Sequence, residues 1–203
     1  MRYFIEFAYK GTNYHGWQIQ PEAISVQEVL TKATNLILKD SFELVGAGRT
    51  DAGVHASQMY AHFDTEVDFN SEDAVRKINS YLPEDIAVFR IFPVSADAHT
   101  RFDATARTYE YHIHLKKNVF SKDLSWYHFR KLNIDKMNEA AKILLEYEDF
   151  ECFSKTHTDV FTFNCTITEA HWQLSNDNLV FTISANRFLR NMVRAIVGTL
   201  INI

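Results

Sequence analysis

The sequence predicts an α+β chain built from two similar halves, residues 1–100 and 101–203, around a mostly antiparallel central sheet. Two observations favour this class. Segments that alternate aromatic and β-branched residues with polar ones are interleaved with segments whose apolar residues recur at helical spacing. Several predicted strands also follow one another after only a short turn, which is typical of antiparallel pairing. No low-complexity linker separates the halves, so we expect them to share a sheet or a tight interface.

The elements of the first half follow from these patterns in order. Residues 2–9 alternate and are rich in Tyr, Phe and Ile, which predicts a strand. Ser25 to Glu28 has the form of a capping box and begins a helical stripe that runs to about Lys39. The same reasoning predicts a short strand at 43–45, a strand around 59–63, a helix over 71–81 that stops before Pro83, and a strand over 86–92.

The second half repeats these kinds of element. A strand is predicted over residues 108–115, followed by a helix that is capped by Asp135 and runs to Leu145. Residues 167–174 and 179–185 are two alternating runs around a polar turn, which predicts a hairpin. A last helix is predicted to begin near Arg187. The three tryptophans are expected in the core.

Composition excludes several classes of protein. Apolar residues make up 46% and charged residues 23%, which is typical of a globular chain rather than a disordered one. Only two cysteines occur, without a CxxC pair, so neither structural zinc nor a disulfide framework is expected. No apolar run approaches the ~18 residues of a membrane span, and the charged N-terminus does not resemble a signal peptide. We therefore expect a soluble, cytoplasmic protein that does not contact membranes.

The net charge of −5 hides an uneven distribution along the chain. Residues 64–85 carry seven acidic and two basic side chains, whereas residues 101–131 carry seven basic and three acidic ones. From residue 186 onward there are three arginines and no acid. Because salt screens fields beyond about 8 Å, an acidic protein can still present a local basic surface. A nucleic acid therefore remains possible as a partner.

The most informative segment is residues 46–56, which we call the signature loop. It contains three glycines, and it carries Asp51 two residues after Arg49. The loop lacks the last glycine of a dinucleotide fingerprint and the Gly-Lys-Ser/Thr of a phosphate-binding P-loop. A guanidinium near a carboxylate favours the ionised form that a nucleophile or base requires. From the residues alone, a reactive carboxylate and an Arg–Asp pair on a surface turn are both open.

The signature loop closely resembles that of the tRNA pseudouridine synthases of the TruA family. Further landmarks of that family occur in the same order along the whole chain. They are residues 9–11 and 16–20, 25–27, 82–83 and 85–88, 101–107 with 109–111, 149–150 with Phe153, and 186–194. Lys10 stands where the family commonly has an acidic residue. The family also continues beyond position 203, so we expect residues 196–203 to be incompletely covered.

The resemblance implies a function and roles for individual residues. Asp51 would be the catalytic nucleophile, at the floor of a cleft between the halves. It would isomerise uridines 38, 39 and 40 of the tRNA anticodon stem-loop after the nucleotide is flipped out of its stem. Attack on the sugar, attack on the base and abstraction of a sugar proton are all open. Tyr109 would stack on the uracil, Arg194 would pair with the nucleophile, and Arg49 would hold the flipped nucleotide or its phosphate.

The predicted last helix would add a basic face for RNA. On a helix beginning near Arg187, the positions of Arg187, Arg190 and Arg194 fall on one side. Arginine suits phosphate groups because its planar fork donates several hydrogen bonds. Arg187 and Arg190 are therefore candidate RNA-binding residues.

The family further implies a homodimer and a reaction that needs no cofactor, because an isomerisation requires no redox carrier, ATP or metal. Two other functions remain open from the residues. One is a non-catalytic RNA-binding module in which Asp51 only orders a loop. The other is a carboxylate-based hydrolase, although the second carboxylate that glycoside chemistry normally requires is not evident.

Overall fold

The computed structural model describes residues 1–155 and 161–203. The chain divides into two compact units, Met1–Ala104 and Thr105–Ile203. Each unit contains a four-stranded sheet together with helices. The predicted α+β class and the mostly antiparallel pairing of strands are confirmed. The strands are distributed over two four-stranded sheets, one in each unit.

The first unit has the strand order β2-β3-β1-β4, and each of these neighbours is antiparallel. The start predicted for the first helix is confirmed, since the Ser25 side chain caps it by accepting a hydrogen bond from the Glu28 amide. The elements are β1 (Arg2–Tyr9), a 3-10 turn (Gly11–Asn13), α1 (Val26–Leu38), β2 (Val45–Gly46), β3 (Ala56–Asp64), α2 (Ser71–Tyr81) and β4 (Ile86–Val94).

The core of the first unit lies under one face of its sheet. Ile5 and Phe7 of β1 are fully buried, as is Leu30 of α1 and Ile78 of α2. The ring of Trp17 stacks on Phe7 at a centroid distance of 5.2 Å. The segment between β1 and α1 therefore contributes Tyr14 and Trp17 to the core.

The second unit has the strand order β6-β5-β8-β7, in which β6 runs parallel to β5 and the other neighbours are antiparallel. The hairpin of β7 and β8 is confirmed. The elements are β5 (Arg107–His114), β6 (Trp126–Tyr127), α3 (Ile134–Ile143), β7 (Ile167–Ser175), β8 (Asn178–Ala185) and α4 (Met192–Leu200), with 3-10 turns at Val119–Ser121, Leu144–Glu146 and Glu151–Phe153.

Two predicted helix starts are wrong. The cap of α3 is Asn133, whose side chain accepts a hydrogen bond from the Lys136 amide, and Asp135 lies in the first turn. The last helix begins at Met192 rather than near Arg187, after Asn191 in the left-handed region at φ 67°. The preceding backbone pairs elsewhere, because the Arg190 carbonyl accepts a hydrogen bond from the Lys155 amide at 3.0 Å. In a helix that began near Arg187, this carbonyl would accept from the amide four residues later, at Arg194.

Two expectations about burial are wrong in part. Trp126 is exposed, whereas Trp17 and Trp172 are buried as predicted. Of the C-terminal residues expected to be incompletely covered, Ile196 and Leu200 are buried in the core of the second unit, whereas Ile203 is 50% exposed.

Candidate active site

Hydrogen bonds hold strand β2 in place where the chain passes from the first sheet into the signature loop. The Thr100 hydroxyl donates a hydrogen bond to the Val45 carbonyl of β2 at 2.9 Å. The same hydroxyl oxygen lies 2.9 Å from Nδ1 of His62, which is opposite Val45 in the sheet. Burial lowers the pKa of His62, and the neighbouring His99 and Arg2 lower it further. An uncharged imidazole at neutral pH therefore helps to fix the strand that enters the loop.

The segment that follows β1 holds the loop from the other side. The Trp17 amide donates to the Thr50 carbonyl at 3.4 Å, and the Gly53 amide donates to the Tyr14 carbonyl at 3.2 Å. These two contacts lie immediately before Asp51 and two residues after it. The backbone that carries the carboxylate is therefore held at both ends.

Two glycines permit this close approach. A Cβ atom on Gly11 would lie 2.0 Å from the Val54 carbonyl oxygen, and one on Gly16 would lie 2.1 Å from the Thr50 carbonyl oxygen. Such distances are far inside van der Waals contact, so only glycine fits at either position. Gly16 also has φ +85°, which disfavours other residues. The glycines of residues 9–20 are thus explained by packing against the loop.

A polar cluster fixes the segment that follows β1 to the residue directly before β4. The Tyr14 hydroxyl donates to a carboxylate oxygen of Asp85 at 2.5 Å, and the Asn13 amide group donates to the other oxygen at 3.2 Å. Burial raises the pKa of Tyr14, and the hydrogen bond to the Asp85 carboxylate raises it further. Tyr14 therefore stays protonated and joins Asp85 to the loop through its own carbonyl.

Asp51 begins a tight turn at the centre of the loop. The Val54 amide donates to the Asp51 carbonyl at 3.2 Å, and Gly53 has φ +76° in the left-handed region. The Asp51 residue is half-buried, and Arg49 is exposed. The turn can therefore present a carboxylate to a molecule that approaches from solvent, with a guanidinium two residues away.

Tyr109 lies in the second unit, on β5 opposite Ile183 of β8. Its ring is half-buried and meets the ring of Phe188 edge-on, with a centroid distance of 5.1 Å and an interplanar angle of 88°. Edge-to-face contact is a favoured arrangement of aromatic rings and restricts the Tyr109 side chain. Phe188, for which the sequence predicts no role, therefore helps to orient Tyr109.

The three arginines of the C-terminal segment are not on one helical face. Arg194 is exposed in the first turn of α4, whereas Arg187 and Arg190 precede the helix. The Arg187 guanidinium donates to the Thr162 carbonyl at 3.4 Å, and the Arg190 carbonyl accepts a hydrogen bond from the Lys155 amide. The prediction of a basic helical face is wrong for this reason, although all three side chains belong to one short segment.

Within residues 1–155 and 161–203, no group of three or more His, Cys, Asp or Glu side chains is arranged to hold a metal ion. No helix in that part of the chain is both long and apolar enough to cross a membrane.

An α+β chain with one carboxylate on a braced, glycine-rich loop fits the class of pseudouridine synthases. A family model described as tRNA pseudouridine synthase matches residues 6–103 and 140–203. The chain belongs to this family, whose members are isomerases that convert uridine to pseudouridine in tRNA. The resemblance predicted from the motifs is thereby confirmed.

Individual relatives agree along the whole chain. Two proteins named tRNA pseudouridine synthase A, from Bacteroides thetaiotaomicron and Bacteroides fragilis, are each 54% identical and match all of this chain. The matches cover 76% and 81% of those relatives. A protein of the same name from Thermoanaerobacter sp. is 40% identical over 97% of this chain and 81% of its own length.

Proposed function

We propose that this chain isomerises uridines 38, 39 and 40 in the anticodon stem-loop of tRNA, with Asp51 as the catalytic nucleophile. The observation that carries the proposal is the bracing of the Asp51 turn by hydrogen bonds at Thr50 and Gly53. A reactive group must be held near its working geometry, since an error of about 1 Å can cost 10²-fold in rate. Gly11 and Gly16, where a Cβ atom would clash with the loop backbone, allow this close bracing.

The chemistry requires one nucleophile and conserves all atoms. The N1–C1′ glycosidic bond breaks, the uracil turns, and a C5–C1′ bond forms. The hydrogen on C5 leaves as a proton, and N1 carries a proton in the product. Nothing is oxidised or reduced, so we propose that no redox cofactor, ATP or metal takes part.

The remaining candidate residues would bind the flipped nucleotide and its strand. We assign Tyr109 to stacking on the uracil, because its ring is held by Phe188 and is only half-buried. We assign Arg49 to the flipped nucleotide or its phosphate, since its side chain is exposed beside the turn. Arg194 is assigned to pairing with the Asp51 carboxylate, as the resemblance implies. Arg187 and Arg190 are assigned to RNA phosphates.

We further propose that the halves 1–100 and 101–203 both contribute to the site. The first would carry the nucleophile and Arg49, and the second would carry Tyr109 and the other arginines. We also propose that the chain forms a homodimer, as the family resemblance implies. Its location would be the cytoplasm, since the substrate is tRNA.

Release of tritium tests the proposed reaction. In tRNA labelled with tritium at uridine C5, each isomerisation liberates one tritium to water. The purified chain should release tritium from tRNA at a rate proportional to enzyme concentration. Tight binding of tRNA without release would contradict the proposal and would favour a non-catalytic RNA-binding module.

Substitution of Tyr109 should separate ring stacking from proton chemistry. Tyr109→Phe keeps the ring and its contact with Phe188, so tRNA affinity should stay near that of the wild type. Turnover should fall if the hydroxyl assists removal of the C5 proton. Tyr109→Leu should also weaken binding, by about 1–3 kcal/mol for one lost stacking contact.

Single-turnover rates and filter-binding titrations of the two variants measure these effects. Wild-type rates in Tyr109→Phe would limit the residue to packing against the base. Wild-type affinity in Tyr109→Leu would exclude stacking.

A further inference from the structure

The second unit carries a strongly basic surface segment outside all the candidate site residues. Residues 116–131, which we call the aromatic–basic segment, contain five Lys or Arg side chains and one Asp, although the whole chain has a net charge of −5. The segment joins β5 to α3 and includes the 3-10 turn Val119–Ser121 and strand β6. It also lies between the two stretches matched by the family model, 6–103 and 140–203.

The same segment exposes large aromatic rings. Phe120 is 90% exposed and Phe129 is 73% exposed, while Trp126 and Tyr127 of β6 are 41% and 43% exposed. Isolated apolar side chains on a surface are ordinary, but several aromatic rings within ten residues are not. Rings interleaved with cations are typical of surfaces that bind single-stranded nucleic acid.

These rings stand on a fixed backbone. The Phe120 amide donates to the Asn118 side chain at 2.9 Å, and the Ser125 amide donates to the Ser121 carbonyl at 3.1 Å. The buried His114 then lies 2.5 Å, Nδ1 to Oγ, from Ser125. Because the turn is already ordered, a ligand that stacks on it pays little conformational entropy.

An open depression of about 500 Å³ lies beside the exposed ring of Phe120. Lys116 and Lys117 line it, together with residues 176–178 of the β7–β8 turn. Lys116 forms an ion pair with Asp177 at 3.2 Å. Among the described residues, no ion pair involves the other four basic side chains of the segment, which are Lys117, Lys122, Arg130 and Lys131.

We infer that the aromatic–basic segment is a second RNA-binding surface, which takes unpaired nucleotides of the tRNA away from the target uridine. The inference rests on the proposed function, because tRNA is the polyanion that the chain would meet. Phe120 would stack on a base, and Lys117 would contact a neighbouring phosphate. A second copy of the chain is the weaker occupant, because a two-fold interface would place this basic surface against itself.

The test uses a double variant, Phe120→Ala with Lys117→Gln, in the full chain. The matched control is Phe89→Ala with Lys32→Gln, which removes a 53% exposed phenylalanine and an exposed lysine from the first unit. Both proteins should keep the wild-type melting temperature, because each substituted side chain is exposed. Affinity is measured by titration of a fluorescein-labelled tRNA transcript and of a fully paired RNA duplex at several salt concentrations.

The segment variant should bind the tRNA transcript about tenfold or more weakly, because it loses one stacked base and one phosphate contact. Its plot of log K against log salt should become shallower by about 0.7–0.9. The duplex, which offers no unpaired base within its length, should lose much less affinity. In tritium release the variant should show a raised KM and an unchanged kcat, and the control pair should behave as wild type.

Two outcomes would overturn the inference, and a third would overturn the proposed function alone. Wild-type affinity and salt dependence in the segment variant would exclude RNA binding there. A change from dimer to monomer in sedimentation equilibrium, with tRNA affinity retained, would identify the surface as a protein interface. A wild-type chain that releases no tritium, while the segment variant still loses tRNA affinity, would overturn the proposed function and support the RNA-binding surface.

Discussion

Asp51→Asn is expected to lower the rate of tritium release by at least about three orders of magnitude. The amide has nearly the same shape as the carboxylate but is neither a nucleophile nor a base. The turn should survive, because the hydrogen bonds that hold it join backbone groups at Thr50, Gly53 and Val54. Affinity for tRNA should stay the same or rise slightly, since one negative charge near phosphate is removed.

The matched control for this experiment is Asp68→Asn, which removes an exposed carboxylate from the same unit. Its tritium release should equal that of the wild type, so a loss confined to Asp51→Asn reports a local role. Single-turnover measurements with saturating enzyme separate the chemical step from binding. An Asp51→Asn protein that releases tritium at the wild-type rate would remove Asp51 from the mechanism.

Gly16→Ala is expected to have the second largest effect, although the residue is remote from Asp51 in sequence. Its new Cβ would lie 2.1 Å from the Thr50 carbonyl oxygen and would occupy a backbone with φ +85°. Strain of this kind costs about 1–3 kcal/mol, and displacement of the loop adds to it. We expect the free energy of unfolding to fall by about 3 kcal/mol and isomerase activity to fall with it.

A series of glycine substitutions tests the geometry behind this expectation. Gly53→Ala meets no atom within 4 Å but has φ +76°, so it should cost about 1 kcal/mol. Gly48→Ala meets neither obstacle and should be close to neutral for stability. In urea unfolding, the loss of stability should be largest for Gly16→Ala, smaller for Gly53→Ala and smallest for Gly48→Ala. Equal midpoints for Gly16→Ala and Gly48→Ala would show that Gly16 does not pack closely against the Thr50 carbonyl.

Local sequence signals predicted the regular elements well where the backbone hydrogen bonds join residues that are close in sequence. The capping box at Ser25 begins α1 as expected, and the β7–β8 hairpin forms around its polar turn. The start of α4 was not predictable from helical spacing, because the Arg190 carbonyl accepts a hydrogen bond from the Lys155 amide, which is remote in sequence. Hydrogen bonds between distant segments do not change the spacing of apolar residues in the sequence, so they cannot be predicted from it.

In the candidate site, too, the features set by local sequence could be predicted and those set by contacts between distant segments could not. The signature loop and Asp51 could be singled out from the sequence, since three glycines and a carboxylate in one short segment are unusual. The role of Gly16 in admitting the loop could not, because it depends on how closely two distant segments approach. The contact of Phe188 with Tyr109 likewise depends on the path of the chain before α4. Trp126 of the aromatic–basic segment was expected in the core but is 41% exposed.

The central claim is that this chain converts anticodon-arm uridines to pseudouridine through Asp51. Site-resolved mapping of pseudouridine in tRNA from cells that lack the protein tests it most directly. We expect pseudouridine to be absent at positions 38, 39 and 40 and to return on expression of the wild-type chain but not of Asp51→Asn. Pseudouridine that persists at all three positions without the protein, or that returns with Asp51→Asn, would contradict the account.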